Sequence, residues 1–184
     1  MELIKAVLVL ADIGGYTRFI KMHGTSLVHA ERIITDLLES VINESEFPLT
    51  LNKLEGDAAL FYAGAGQNTQ AVLRSAFQQT EGFFAAFHKK RDELEKVQAC
   101  TCDACSNVGQ LRIKAILHYG EVLLKQVRQF QELAGESVIV AHRLLKNTVQ
   151  QKEYILVTEA FERAAGGVRP SGGQRQEEAC EGIG

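Results

Sequence analysis

A membrane span is the first thing missing. No apolar run in the 184-residue chain approaches the roughly 20 residues that a helix needs to cross a bilayer. An excess of basic charge is missing too. Twenty lysines and arginines stand against 23 aspartates and glutamates, a net charge of −3, so no electrostatic footprint argues for nucleic acid. The opening residues lack the pattern of a signal peptide: Glu2 precedes Lys5, and Asp12 closes a brief apolar run without a small-residue cleavage site. No internal repeat is evident. Cysteine is scarce, four in all, and suits reduced thiols or metal ligands better than a disulfide framework. These absences lead us to expect a cytoplasmic protein with no membrane or nucleic-acid partner. What is present is 46% hydrophobic residues, enough for one core in one domain of ordinary size.

Along the chain, residues 3–13 read as a strand buried on both faces, because the apolar run does not alternate. A short helix from Tyr16 to Met22 follows, stopped at Gly24, with Thr25 or Ser26 as cap for the next. That second helix carries Leu27, Ala30, Ile33, Ile34, Leu37, Leu38, Val41 and Ile42 at helical spacing. "PLTLNKLE" and "DAALFYAG" form a hairpin around Gly56. Residues 67–97 form a long helix, "LRIKAILHYGEVLL" a strong strand, Val138–Asn147 a helix, "YILV" a strand and "TEAFERA" a short helix. The order β-α-α-β-β-α-β-β-α-β predicts an α+β sandwich of helices on an antiparallel-containing sheet, spanning residues 1–165. The glycine-rich remainder, 166–184, reads as a flexible or truncated tail.

Two acids carry the chemistry. Asp12 ends an apolar strand and Asp57 begins one, and each lies within two residues of a glycine. Carboxylates at neighbouring sheet ends can hold two divalent cations against a transferring phosphoryl group. The turn "IGGYT" after Asp12 can aim the N–H groups of a helix start at phosphate oxygens. The plainer alternative makes Asp12 a helix cap and Asp57 a turn residue. Lys53 shares strand parity with Leu49 and Leu51. With Glu55 and Gly56 as the loop, it would lie opposite Ala58, and Asp57 would point to the other face. Arg143 lies one turn after Ile139 on the same helix face, where it can grip a phosphate or simply be a surface cation.

"ADIGGYT", "KLEGDAALFY", "LRIKAILHYGEV" and "GESVIVAHRL" together resemble, in order and approximate spacing, the signature blocks of class III adenylate and guanylate cyclase catalytic domains. The closest likeness is to a bacterial cyclase-like family of unknown function, and it spans roughly residues 5–160. The resemblance implies a ferredoxin-like βαββαβ core and head-to-tail homodimers with sites shared across the interface. It makes Asp12 and Asp57 the carboxylates for two Mg or Mn ions, helped by the Ile13 carbonyl. Gly14, Gly15, Tyr16 and Thr17 would lie near the triphosphate of ATP. Lys53 and Glu132 would take the two base-reading positions, acting on the partner chain's metal site, and Arg143 would steady the transition state. Two departures stand out. Ile139 replaces a ribose-orienting asparagine, a loss of about a hundred- to a thousandfold for one polar contact of this type. No lysine follows Lys152, although the family places a phosphate-binding lysine on a late strand.

"CTCDAC" is outside the cyclase pattern. Cys100, Cys102 and Cys105 suit zinc, with a fourth ligand from Cys180, His88, Asp103 or a second chain. A surface loop of reduced thiols (residues 98–109) and a disulfide switch are the alternatives. His118 reads as a structural histidine. Three functions follow: a weakly active, metal-dependent adenylate cyclase; a degenerate module that binds nucleotide or only dimerises; and a metal- or redox-responsive regulator built on the cysteine loop.

Overall fold

The computed structural model describes residues 1–22, 27–97 and 102–179. The stop at Gly24 and the cap at Thr25 or Ser26 lie outside them, as do Cys100 and Cys180.

Strand β1 (Glu2–Gly14) is the middle of a six-stranded sheet ordered β2-β3-β1-β4-β5. Its neighbours are β3 (Ala58–Gly64) and β4 (Arg112–Val127), both antiparallel to it. Strand β2 (Thr50–Glu55) forms the outer partner of β3. On the far side of the long β4, β6 (Tyr154–Val157) pairs parallel to residues 114–117, and β5 (Phe130–Ala134) pairs antiparallel to residues 123–127. This is the α+β architecture expected, an antiparallel-containing sheet with helices packed on it.

The unalternating apolar run of β1 has a direct structural reason. Val7, Val9, Ala11 and Ile13 enter one core, and Ala6, Leu8 and Leu10 enter a second on the opposite face. The first core is covered by α2 (Leu27–Asn43), α3 (Thr69–Lys96) and the short α1 (Tyr16–Met22), α4 (Asp103–Ser106) and α6 (Glu159–Ala164). The apolar stripe of α2 lands there through Ala30, Ile33, Ile34, Leu37, Leu38 and Val41. Leu73, Phe77, Phe83 and Phe87 bring α3 down, with Phe61 and Phe83 tilted at 5.0 Å between ring centroids. The second core is covered by α5 (Glu136–Arg143) and the helical turn 144–146 through Val138, Ala141 and Leu144. One face therefore carries a thick helical layer, and the other a single short helix.

Two close approaches need glycine. Gly135, just before α5, has φ +119°, a region that side chains other than glycine rarely adopt. At Gly120 a Cβ would run into the hydroxyl of Ser137, so β4 and the start of α5 touch only because nothing projects there.

The hairpin register corrects the sequence reading. Glu55 lies opposite Ala58, so the two-residue loop is Gly56-Asp57, with Gly56 at φ +65° as such loops require. Lys53 lies opposite Leu60, not Ala58. The cause is a bulge at Asn52, which breaks the alternation between Leu51 and Lys53. Leu51 keeps company with the first core, whereas Lys53 moves to the face of Leu60 and Leu10. Lys53 thus loses the parity with Leu51 that the spacing suggested and faces the same side of the sheet as Leu60 and Asp12.

Candidate functional site

The register lines up one row of side chains across the sheet: Glu55, Ala58, Asp12, Lys114 and Tyr154 are successive cross-strand partners. Asp12 is at the end of the buried stretch of β1, its side chain 13% exposed, and Lys114 Nζ bonds its Oδ2 at 3.1 Å. The same ammonium donates to the carbonyl of Leu145 at 2.9 Å. At the other end of the row, Glu55 Oε2 meets His142 Nε2 at 2.6 Å. Residues 142 and 145 thus bring the end of α5 down over the row.

Asp57 joins Asp12 from the hairpin loop. Its backbone carbonyl accepts the N–H of Ile13 at 3.0 Å, tying the loop to the strand end. Burial and the neighbouring Asp12 charge push the Asp57 carboxyl up to about 6, against a smaller downward pull from Lys114. Two half-buried carboxylates, one of them made costly to ionise by its neighbour, form a donor set that a divalent cation fits. The side chain of Ile13 is buried, so only its carbonyl is a candidate ligand.

Beside the acids lies a groove of about 560 Å³ between the start of α1, the approach to β4 and residues 147–154. Gly14 and Gly15 form one wall, and four cations line it: Arg18, Arg112, Lys114 and Lys152. Arg112 already donates to the carbonyls of Gly109 and Leu111. Gly15 has φ +95°, which lets the chain turn into α1, and its carbonyl accepts the N–H of Phe19. Tyr16 instead points back to α2, its hydroxyl donating to Glu31 Oε1 at 3.1 Å, and Thr17 is exposed on α1. Of the four turn residues, only the two glycines face the groove.

Lys53 and Glu132 come together from opposite edge strands, Nζ to Oε2 at 3.9 Å. Asn52 bridges those edges, its Nδ2 donating to the carbonyl of Gln131, and the Tyr62 hydroxyl donates to the Gln131 side chain. Lys53 also pairs with Glu55 at 2.7 Å. Burial pushes the Glu55 carboxyl up, but the hydrogen bonds and charges of Lys53 and His142 outweigh it and hold the group below its ordinary value. Arg143 is exposed at the end of α5 and makes no ion pair among the described residues. Ile139, one turn earlier, is 49% exposed. His118 bonds the hydroxyl of Thr158, which caps α6, and burial lowers the tendency of its ring to charge.

The cysteine loop gains a partner that the spacing did not reveal. His29 Nδ1 of α2 lies 3.4 Å from Cys102 Sγ, and Cys102 Sγ lies 3.5 Å from Cys105 Sγ. His88, the nearer candidate in sequence, packs on Phe87 and approaches Glu153 instead. Asp103 is exposed and outside the cluster.

Lys114, Arg18, His142 and His29 were missed by the sequence reading. Lys114 was the most findable, being one of two charges, with Arg112, in the mostly apolar "LRIKAIL". Residues 34–154 match a family described as "Protein of unknown function (DUF2652)". The chain belongs to the DUF2652 family. This DUF2652 chain is 38% identical over 126 residues to the Mycobacterium tuberculosis "Uncharacterized protein Rv2561/Rv2562", a match covering 68% of the chain and 57% of that relative's length. Its fold is that of class III cyclase domains. The adenylyl cyclase CyaB of Pseudomonas aeruginosa superimposes with a TM-score of 0.67 at 16% identity, covering 100% of this chain and 98% of the other. A class III adenylyl cyclase-like ATP-binding protein from the same organism gives 0.65 at 17% identity, over 88% of this chain and 35% of the other.

Proposed function

We propose that the chain binds ATP with divalent cations at the Asp12–Asp57 end of the sheet and, as a head-to-tail homodimer, converts it slowly to cyclic AMP. The observation that carries this reading is the placement of two neighbouring acids beside a groove of four cations, one of which, Lys114, pairs with Asp12. A triphosphate needs that combination, with positive charge along the chain of phosphates and carboxylates for Mg or Mn at one end. When bound, the cations supply charge neutralisation and acidify the attacking hydroxyl.

The chain's own residues do the rest. Lys114 pairs with Asp12, and it is placed to shift its ammonium toward a phosphate oxygen. Gly14 and Gly15 leave the backbone open to close approach. Lys53 and Glu132 present a donor and an acceptor together, which suits the edge of adenine. Arg143, exposed on α5, is available to a partner chain's nucleotide. The sheet face under α5 has the thin cover that a second copy would complete.

A second reading, nucleotide binding without turnover, is favoured by Ile139, which offers no hydrogen bond beside Arg143. A product assay with Mn²⁺ and ATP, run on wild type, Asp57→Ala and Ile139→Asn, separates the two. Product lost in the first variant and raised in the second supports cyclisation. Nucleotide-dependent thermal stabilisation that needs Asp12, with no product from any variant, supports binding alone.

A further inference from the structure

We propose that His29, Cys102 and Cys105 form a site for a soft divalent cation, zinc above all, that ties α2 to the loop ahead of β4. The three ligand atoms lie within 4.8 Å of one another, the one such group of three among the described residues. Their spacing matches a coordination sphere. Zinc bonds of about 2.3 Å to sulfur and about 2.05 Å to nitrogen, set tetrahedrally, place two sulfurs about 3.8 Å apart and sulfur and nitrogen about 3.6 Å apart. The corresponding separations here are 3.5 and 3.4 Å. A disulfide would need its sulfurs at about 2.05 Å, so the two thiols are not bonded covalently to each other.

The chemistry of the donors selects the ion. Two thiolates and an imidazole favour zinc and leave magnesium, which takes oxygen ligands, without a foothold. Cys102 directly precedes α4 and Cys105 lies within it, so a single short turn presents both sulfurs. His29 comes from α2, 73 residues away in sequence, and is exposed, which gives an ion a way in. Closing the site would hold α4 and the helical turn 108–110 against α2. That turn leads directly to Arg112 and Lys114 of the groove.

The test uses the full chain, kept reduced. Zinc content after dialysis, competition with a chromophoric chelator, and Co²⁺ absorption are the readouts. The expected result is one zinc per chain, with a thiolate-to-cobalt charge-transfer band and tetrahedral cobalt bands. Loss of an outer partner of a metal ligand costs 10- to 100-fold in affinity, so His29→Ala, an exposed change, should weaken zinc at least about tenfold. Cys102→Ser should remove the thiolate band or shrink it, and Asp57→Ala should bind zinc as wild type does. Substoichiometric zinc without the band, His29→Ala binding as tightly as wild type, or zinc lost in Asp57→Ala would each overturn the assignment. So would a Cys102–Cys105 disulfide that forms with zinc present.

Discussion

The chain gathers candidate cation ligands in two places built by different means. At the sheet end, β-register does the work: Asp12 and Lys114 are cross-strand partners, and the hairpin next door delivers Asp57. On the helical side, packing does it, carrying His29 across to Cys102 and Cys105. The first set is oxygen with an ammonium already in place, suited to a hard ion arriving with an anionic ligand. The second is sulfur and nitrogen, suited to a soft ion that arrives alone. Strand alternation acts over a few residues, so the acids of the first site show in local sequence. Helix packing is decided by the whole core, so the second does not.

The sharpest way to break the comparison is to remove the acid. Asp57→Ala should reduce Mn²⁺-dependent product by at least about a hundredfold, since a preorganised charge-stabilising group is lost. Zinc content should stay unchanged, and a matching loss of zinc would show that the two sites are one.

Next in size is repair. Ile139→Asn restores a polar group one turn before Arg143 and should raise product formation by about tenfold or more, part of what a single such contact supplies. A rate no higher than wild type would leave the binding-only reading standing.

Lys114→Met should come third. It removes the cation shared by Asp12 and the groove, and ATP affinity, read from thermal stabilisation, should fall by about tenfold, the measure of one charge-assisted hydrogen bond.

The smallest effect is in pH. The folded pKa of Asp57 is raised from 3.8 to about 6, so the folded state favours its protonated form. Its contribution to stability is full below 3.8 and is lost as pH rises through about 6. Relative to Asp57→Asn, wild type should therefore lose melting temperature between those values. Mg²⁺ should restore part of the loss at pH 7, where the carboxylate is ionised. A parallel pH profile for the two proteins would remove the coupling argument.

Much of the fold was legible because its signals are short-range. The double burial of β1 shows as an unbroken apolar run, α1 and β6 have the bounds the sequence suggested, and Thr158 caps α6 through its hydroxyl. The candidate site was legible in part. Asp12 and Asp57 stand out as acids beside buried strands. The face of Lys53 did not, because one extra residue, Asn52, inverts the alternation after it. An asparagine inside "TLNKLE" was the available clue, and its meaning depends on Gln131 of β5, which its side chain reaches.

The sequence by itself determined the elements, their order, and which strands are buried on both sides, because hydrophobic period and turn chemistry act over a few residues. Tertiary structure alone decided that Lys114 would neutralise Asp12, that Lys53 would face Glu132 from the opposite edge, and that His29 would meet the cysteines. Each of those meetings joins residues far apart in the chain, and loop closure brings such residues together only when the core between them is complete.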